Sequence, residues 1–156
     1  MRRLAAPLLL LLVAACASRA DNQPQERRPP VHKMSIRVIT NGVRMGGYTV
    51  ILKWDPTLAS IEKITPTRAP TFPANPECSE RNFTRGWLRI FGSTNQNHDV
   101  PDEYDVCYVI WRPLRPGLFK PTVEIEALYD MAARPRPITG HLNVFPAEFD
   151  FGAVGQ

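Results

Sequence analysis

Apolar and polar residues alternate along several short segments of the chain, with the period of a half-buried β-strand. Met34, Ile36 and Val38, for example, are separated by Ser35 and Arg37. The other segments that read as strands are 48–54, 60–64, 87–91, 106–111, 122–128 and 138–145. Short strands with turn signals between them are typical of an all-β sandwich or barrel.

The connections between these segments carry recognisable turn chemistry. Asn41-Gly42 is a strong tight-turn signal. Asp55-Pro56 ends the second strand, and a helix start is an alternative there because Asp can cap a helix and Pro fits its first position. We expect one helical turn before the strand at 60–64, and a loop over 65–82. The apolar segment 106–111 predicts a central strand.

The N-terminus has the order of a secretory signal, with Arg2 and Arg3 followed by the apolar run 8–12 and then small residues. The run is too short to span a bilayer, which takes about 20 apolar residues. Its ending, Val-Ala-Ala-Cys at 13–16, resembles a bacterial lipobox. The resemblance implies that Cys16 is acylated and becomes the new N-terminus of a lipoprotein.

Two alternatives to the lipobox remain open. Ser18-Arg19-Ala20 is a possible site for an ordinary signal peptidase, which would remove Cys16, and the segment could also stay uncleaved as an anchor. Both cleavage schemes predict a mature chain outside the cytoplasm, in the cell envelope. In lipoproteins an Asp after the cysteine often retains the protein at the inner membrane, so Ala17 favours the outer membrane. Residues 17–33 read as a flexible, proline-containing tether.

Composition bounds the remaining chain to one domain, since removal of the signal leaves about 140 residues. We predict a folded domain at 34–150 and a tail at 151–156. The two signal arginines supply half of the formal net charge of +4, so the mature chain carries about +2 and offers no electrostatic case for binding nucleic acid. The 16 prolines disfavour long helices.

Three cysteines are present. With Cys16 assigned to the lipid, Cys78 and Cys107 remain as a pair, and in an oxidising compartment they predict one disulfide. The bond would close a loop of about 30 residues and stabilise the fold by about 3–4 kcal/mol. A metal-binding pair is the alternative, although no Cys-x-x-Cys or His-rich context accompanies it.

Segment 46–64 resembles the second and third strands of cohesin domains, in which an apolar strand ends in aromatic-Asp-Pro and another strand follows. Here that motif is Trp54-Asp55-Pro56. Segments 84–90, 108–111 and 123–130 resemble later cohesin strands in the same order. The resemblance implies a nine-stranded, jelly-roll-like sandwich and non-catalytic binding of a protein partner. A carbohydrate-binding module on the same fold is the alternative.

The candidate binding residues lie on the segment 87–91. We expect Arg89 to face water, which would put Trp87 and Phe91 on the same exposed face, where aromatic rings stack on sugars or anchor a partner protein. Coverage of these rings by loops or by the tether is the alternative. Trp54 and Trp111 are predicted to pack in or beside the core.

No arrangement of residues predicts catalysis, so we expect neither an enzyme nor a cofactor. The loop 99–105 is acidic and could hold calcium, but it lacks the usual Asp-x-Asp-x-Asp-Gly order, and a solvated loop is the simpler interpretation. Glu124 and Glu126 are expected on the wet face of one strand. The three histidines are scattered without ligand spacing.

Overall fold

The structure, a computed structural model, describes residues 31–67, 72, 74–101 and 103–152. Cys16 and the tether up to residue 30 lie outside the described residues. Within the described ranges the chain forms ten strands and one short 3-10 turn at Glu80–Asn82. The strands are β1 (His32–Ile39), β2 (Met45–Lys53), β3 (Ala59–Thr65), β4 (Glu77–Cys78), β5 (Trp87–Ser93), β6 (Tyr104–Pro113), β7 (Gly117–Phe119), β8 (Thr122–Asp130), β9 (His141–Phe145) and β10 (Phe149–Phe151).

Two four-stranded antiparallel sheets form the predicted all-β sandwich. Sheet I has the order β3-β6-β1-β9, and sheet II has the order β4-β5-β2-β8. The short strands β7 and β10 pair separately. Strand β6 occupies an inner position, as its apolar sequence predicts. No helix in the described ranges is long and apolar enough to cross a bilayer.

The core lies between the sheets and takes alternate residues from each strand. Met34, Ile36 and Val38 of β1 are fully buried, which confirms the predicted alternation. Trp54 and Trp111 lie in the core, as predicted, and pack edge to face with 5.5 Å between their ring centroids. Burial of such large rings supplies much of the stability of a domain of this size.

Hydrogen bonds also join the two sheets through the core. The Tyr48 hydroxyl on β2 donates to the carbonyl of Val106 on β6 at 3.2 Å. The Met45 backbone N–H on β2 donates to the Tyr104 hydroxyl on β6 at 3.1 Å. Because an unpartnered buried polar group is costly, these bonds allow two tyrosine hydroxyls to lie inside the sandwich.

The Asn41-Gly42 turn is present, with positive φ angles of 52° and 86°. It does not form a hairpin between paired strands, however. It carries the chain from β1 in sheet I to β2 in sheet II. Turn chemistry specifies the local backbone conformation, whereas the choice of partner strand depends on which faces the flanking residues bury.

Several predicted boundaries differ from the structure. The loop predicted over 65–82 contains β4 and the 3-10 turn, and the strand predicted from residue 138 begins at His141. Strands β7 and β10 were not predicted at all. Each has three residues, too few to express a period of two. The strands run from His32 to Phe151, slightly beyond the predicted limits of 34–150.

Candidate functional site

Strand β5 separates its side chains cleanly between core and solvent. Leu88 and Ile90 are fully buried, while Trp87 is 47% and Phe91 is 43% exposed. Arg89 is also exposed and lies between the two rings. The structure therefore brings together the three residues singled out in the sequence, and within the described residues the rings are not covered.

The start of β5 is held by the aromatic residue of the Trp54-Asp55-Pro56 motif. The Trp54 backbone N–H donates to the Gly86 carbonyl at 2.9 Å. Gly86 has a φ of +80°, and a Cβ there would lie 2.9 Å from the Trp54 carbonyl oxygen. Only glycine fits this conformation and this close approach. Trp87 thus begins its strand from a backbone position that is fixed against the core.

The Asp55-Pro56 segment forms a compact turn. The Asp55 carboxylate accepts hydrogen bonds from the Thr57 backbone N–H at 2.8 Å and from the Thr57 hydroxyl at 2.7 Å. These bonds lower the pKa of Asp55. The segment 56–58 is a turn, and β3 begins directly after it at Ala59.

The neighbouring strand β2 completes the surface beside the rings. Lys53 lies opposite Trp87, Ile51 opposite Arg89, and Thr49 opposite Phe91. Residues directly opposite one another in a sheet point to the same face. The exposed rings therefore flank a strip of mixed polar and apolar side chains.

Two ion pairs cross this strip and reach β8. The Lys53 ammonium donates to both carboxylate oxygens of Glu124, at 2.8 and 2.7 Å. The Arg89 guanidinium pairs with the Glu126 carboxylate. We call the surface formed by Trp87, Arg89, Phe91, Lys53, Glu124 and Glu126 the aromatic face. Its charged groups neutralise one another, whereas its two rings keep much of their surface open.

Sequence reasoning missed part of this surface. Glu124 and Glu126 face solvent, as the sequence predicts. The sequence does not indicate which cations they pair with. Lys53 and Arg89 belong to strands far from β8 in the sequence. The alternation within β2 signals that Lys53 is exposed, but only the strand order β5-β2-β8 shows which carboxylate it meets.

The predicted cysteine pair is not bonded in the structure. Cys78 on β4 and Cys107 on β6 are free thiols, the first half-buried and the second buried. The disulfide stays a prediction.

The acidic loop 99–105 contributes to an ion network. Glu103 accepts hydrogen bonds from Asn143 at 2.7 Å and from Arg37 at 3.0 Å, and these contacts lower its pKa. The Arg37 Nε also lies 2.8 Å from the Asp105 carboxylate. Over the described ranges, no group of three or more His, Cys, Asp or Glu side chains is arranged to hold a metal ion.

Comparison with known proteins gives a fold and little else. No protein-family model matches the sequence, and no curated protein matches it. Among solved structures, the seventh ScaB type I cohesin of Pseudobacteroides cellulosolvens superposes with a TM-score of 0.55 at 7% identity, over 73% of this chain and 81% of that chain. The fold is that of a cohesin module.

Two further cohesin structures agree with this assignment. A type I cohesin–dockerin complex of Clostridium thermocellum gives a TM-score of 0.50 at 9% identity, over 72% of this chain and 84% of that chain. The cohesin module of a Clostridium perfringens family 33 glycoside hydrolase gives 0.50 at 12% identity, over 70% and 75%. The cohesin-like sandwich implied by the sequence resemblance is therefore confirmed, with ten strands described where the resemblance implied nine.

Proposed function

We propose that this chain is a non-catalytic binding module that holds a protein partner on the aromatic face of a cohesin-like sandwich. The observation that carries the proposal is the pair of half-exposed rings, Trp87 and Phe91, on one strand of the sheet. Exposed aromatic residues on a fixed scaffold are the usual anchors of protein interfaces. One structural neighbour is a cohesin in complex with a dockerin, which supports a protein as the partner.

The surroundings of the rings favour a protein over a polysaccharide. Trp87 and Phe91 are four residues apart on one strand, a separation of about 13 Å. Arg89 lies between them, and the Lys53–Glu124 pair lies beside them. A carbohydrate module with the same fold would offer a continuous row of rings. A pair of rings with a charged rim is closer to a protein interface, although the glycan alternative stays open to test.

The same proposal includes an envelope location. The charged start, the apolar run and Val13-Ala14-Ala15-Cys16 support export and acylation of Cys16. Three acyl chains would make a firm anchor, because each buried methylene contributes about 0.8 kcal/mol. The membrane would then be a partner through the lipid alone, with the sandwich on a tether at the outer membrane. Mass spectrometry of the mature N-terminus tests the acylation of Cys16, and a free N-terminus at Asp21 would contradict it.

The binding proposal is tested by comparing three baits. The full chain, its Trp87→Ala variant and its Phe145→Ala variant are immobilised at equal density and exposed to envelope proteins of the source cell. Phe145 is a matched control because it is 70% exposed and lies on the other sheet. We expect proteins that the full chain and Phe145→Ala both retain and Trp87→Ala does not.

Insoluble polysaccharides serve as the second probe in the same experiment. Cellulose and peptidoglycan are each incubated with the three proteins. If the full chain and Phe145→Ala bind either polysaccharide and Trp87→Ala does not, the aromatic face is a carbohydrate-binding surface. If all three baits retain the same proteins, the aromatic face is not the binding surface.

A further inference from the structure

The open side of the sandwich contains a cleft that the aromatic face does not include. Its volume is about 730 Å³, and it lies between the edge strands β3 of sheet I and β4 of sheet II. Ile64 and Thr65 line it on the β3 side, and Glu77 and Cys78 line it on the β4 side. A half-buried thiol is therefore reachable from solvent through an opening between the two sheets.

A second thiol lies behind this wall. Cys107 is fully buried on β6. It directly precedes Tyr108, whose partner on β3 is Thr65, one of the residues that line the cleft. The two cysteines thus belong to opposite sheets and approach the same end of the sandwich, one from the accessible edge and one from the core.

Both cysteines belong to the same apolar core, since Cys107 is one of its buried members and Cys78 is a partly buried residue packed against it. The Tyr48 hydroxyl donates to the carbonyl of Val106, the residue before Cys107. Burial raises the pKa of Tyr48, and the charges of Cys107 and Cys78 raise it further. Burial likewise raises the pKa of Cys107 to about 12, with a further contribution from Cys78.

We propose that Cys78 and Cys107 form a dithiol which a small or protein disulfide oxidises to a bond between the sheets, with Cys78 attacking first and Cys107 resolving. The order follows from access. Cys78 lines the cleft, whereas Cys107 is fully buried and is not among the residues that line it. The dithiol does not involve the aromatic face or the partner that this face binds.

The chemistry balances with an external disulfide R–S–S–R as the oxidant. The Cys78 thiol loses its proton and attacks one sulfur, which forms a mixed disulfide and releases one RS⁻. Cys107 then loses its proton and attacks the Cys78 sulfur, which forms the Cys78–Cys107 bond and releases the second RS⁻. Two protein thiols are oxidised, one external disulfide is reduced to two thiols, and the two protons end on the released thiolates.

The bond would attach the shortest of the described strands to a central one. Strand β4 has two residues and lies at the edge of sheet II, next to β5, whereas β6 is an inner strand of sheet I. A covalent link between them would close the chain from 78 to 107 into a loop and constrain the unfolded state. The oxidised protein is expected to melt at a higher temperature than the reduced protein.

The test uses the full chain with Cys16→Ser, purified and reduced with dithiothreitol that is then removed, so that Cys78 and Cys107 are its only cysteines and both are thiols. Oxidised glutathione is added to the purified protein, and intact mass is followed with time. We expect the parent protein to lose two hydrogens without retaining glutathione, and peptide mapping to recover a linked 78–107 peptide. A product with two glutathiones, or two thiols that stay free, would overturn the proposal.

Two single variants test the order of attack. Cys107→Ala should accumulate one glutathione on Cys78, because the resolving thiol is absent. Cys78→Ser should react at least about tenfold more slowly than Cys107→Ala, because its remaining thiol is buried. Equal rates for the two variants would overturn the assigned order. If Cys107→Ala does not fold, the linked peptide of the parent protein still decides whether the bond forms.

Discussion

The outer faces of the two sheets use the same kinds of residue in opposite ways. On sheet I, the Lys33 ammonium lies 3.7 Å from the centroid of the Tyr108 ring, so a cation covers an aromatic residue. On the aromatic face of sheet II, Lys53 and Arg89 pair with carboxylates, and the rings of Trp87 and Phe91 stay open. Whether a cation contacts a ring or a carboxylate decides how much neighbouring aromatic surface is left for another molecule.

The carboxylates of the two faces differ as well. Glu103 on the sheet I side has two donors from different elements, Arg37 and Asn143. Glu124 and Glu126 on sheet II have one cationic side chain each. Sheet I therefore combines a network that holds its own strands together with one open ring, Phe145, whereas sheet II combines simple surface ion pairs with two open rings on one strand.

The largest expected effect comes from the core that supports both faces. Trp111 is 1% exposed, and its ring packs on Phe119 at 4.8 Å and on Trp54 at 5.5 Å between centroids. Trp111→Ala should lower the free energy of unfolding by about 3–5 kcal/mol, since it removes a large side chain and leaves a cavity. Urea denaturation followed by circular dichroism measures the loss. A change of about 0.5 kcal/mol, typical of surface positions, would show that Trp111 is not a core residue.

The same substitution on the aromatic face should act on binding instead. Trp87→Ala is expected to weaken capture of the partner by about 2 kcal/mol, or about thirtyfold in Kd. Its thermal unfolding should change little, because nearly half of the ring is already in water. Isothermal titration with the retained partner gives the first quantity, and a melting curve gives the second. A stability loss as large as that of Trp111→Ala would reassign Trp87 to the core.

These two tryptophans also show how far the sequence leads. Alternation alone predicts Trp87 outward, with Leu88 and Ile90 buried, and predicts Trp111 within an apolar central strand. The aromatic-Asp-Pro motif after β2 further indicates the cohesin-like arrangement. Such features are local, because they depend on the period of one strand or on one turn.

The contacts between strands could not be predicted in the same way. Arg37 and Glu103 are separated by 66 positions, and their meeting depends on a register shift between Ile36 and Arg37. The pairing of Arg89 with Glu126 depends on β2 lying between β5 and β8. Strand order and bulges are set by the packing of the whole sandwich, and no single segment encodes them.

The network on sheet I predicts a pH dependence. The hydrogen bond from Asn143, and then the contact with Arg37, lower the pKa of Glu103 below that of the unfolded chain. Its contribution to stability is therefore present above the unfolded-state pKa and is lost as pH falls through the folded-state pKa. Glu103→Gln should lower the urea midpoint near neutral pH, and the difference from the parent should shrink in acid. A difference that grows in acid would contradict this role.

The smallest effect is expected for the ion pair within the aromatic face. Arg89 and Glu126 are 59% and 39% exposed at their side chains, so water and salt screen the pair. A double-mutant cycle with Arg89→Ala and Glu126→Ala should give a coupling energy of about 0.2–1 kcal/mol in unfolding, and added salt should reduce it. Weak coupling would leave Arg89 free to exchange Glu126 for an acidic group on the partner at little cost. Arg89→Ala should then lower the association rate and its salt dependence, while the melting temperature stays close to that of the parent. A coupling of several kcal/mol would mean that the pair is a structural clamp, and recognition on this face would then depend on the two rings alone.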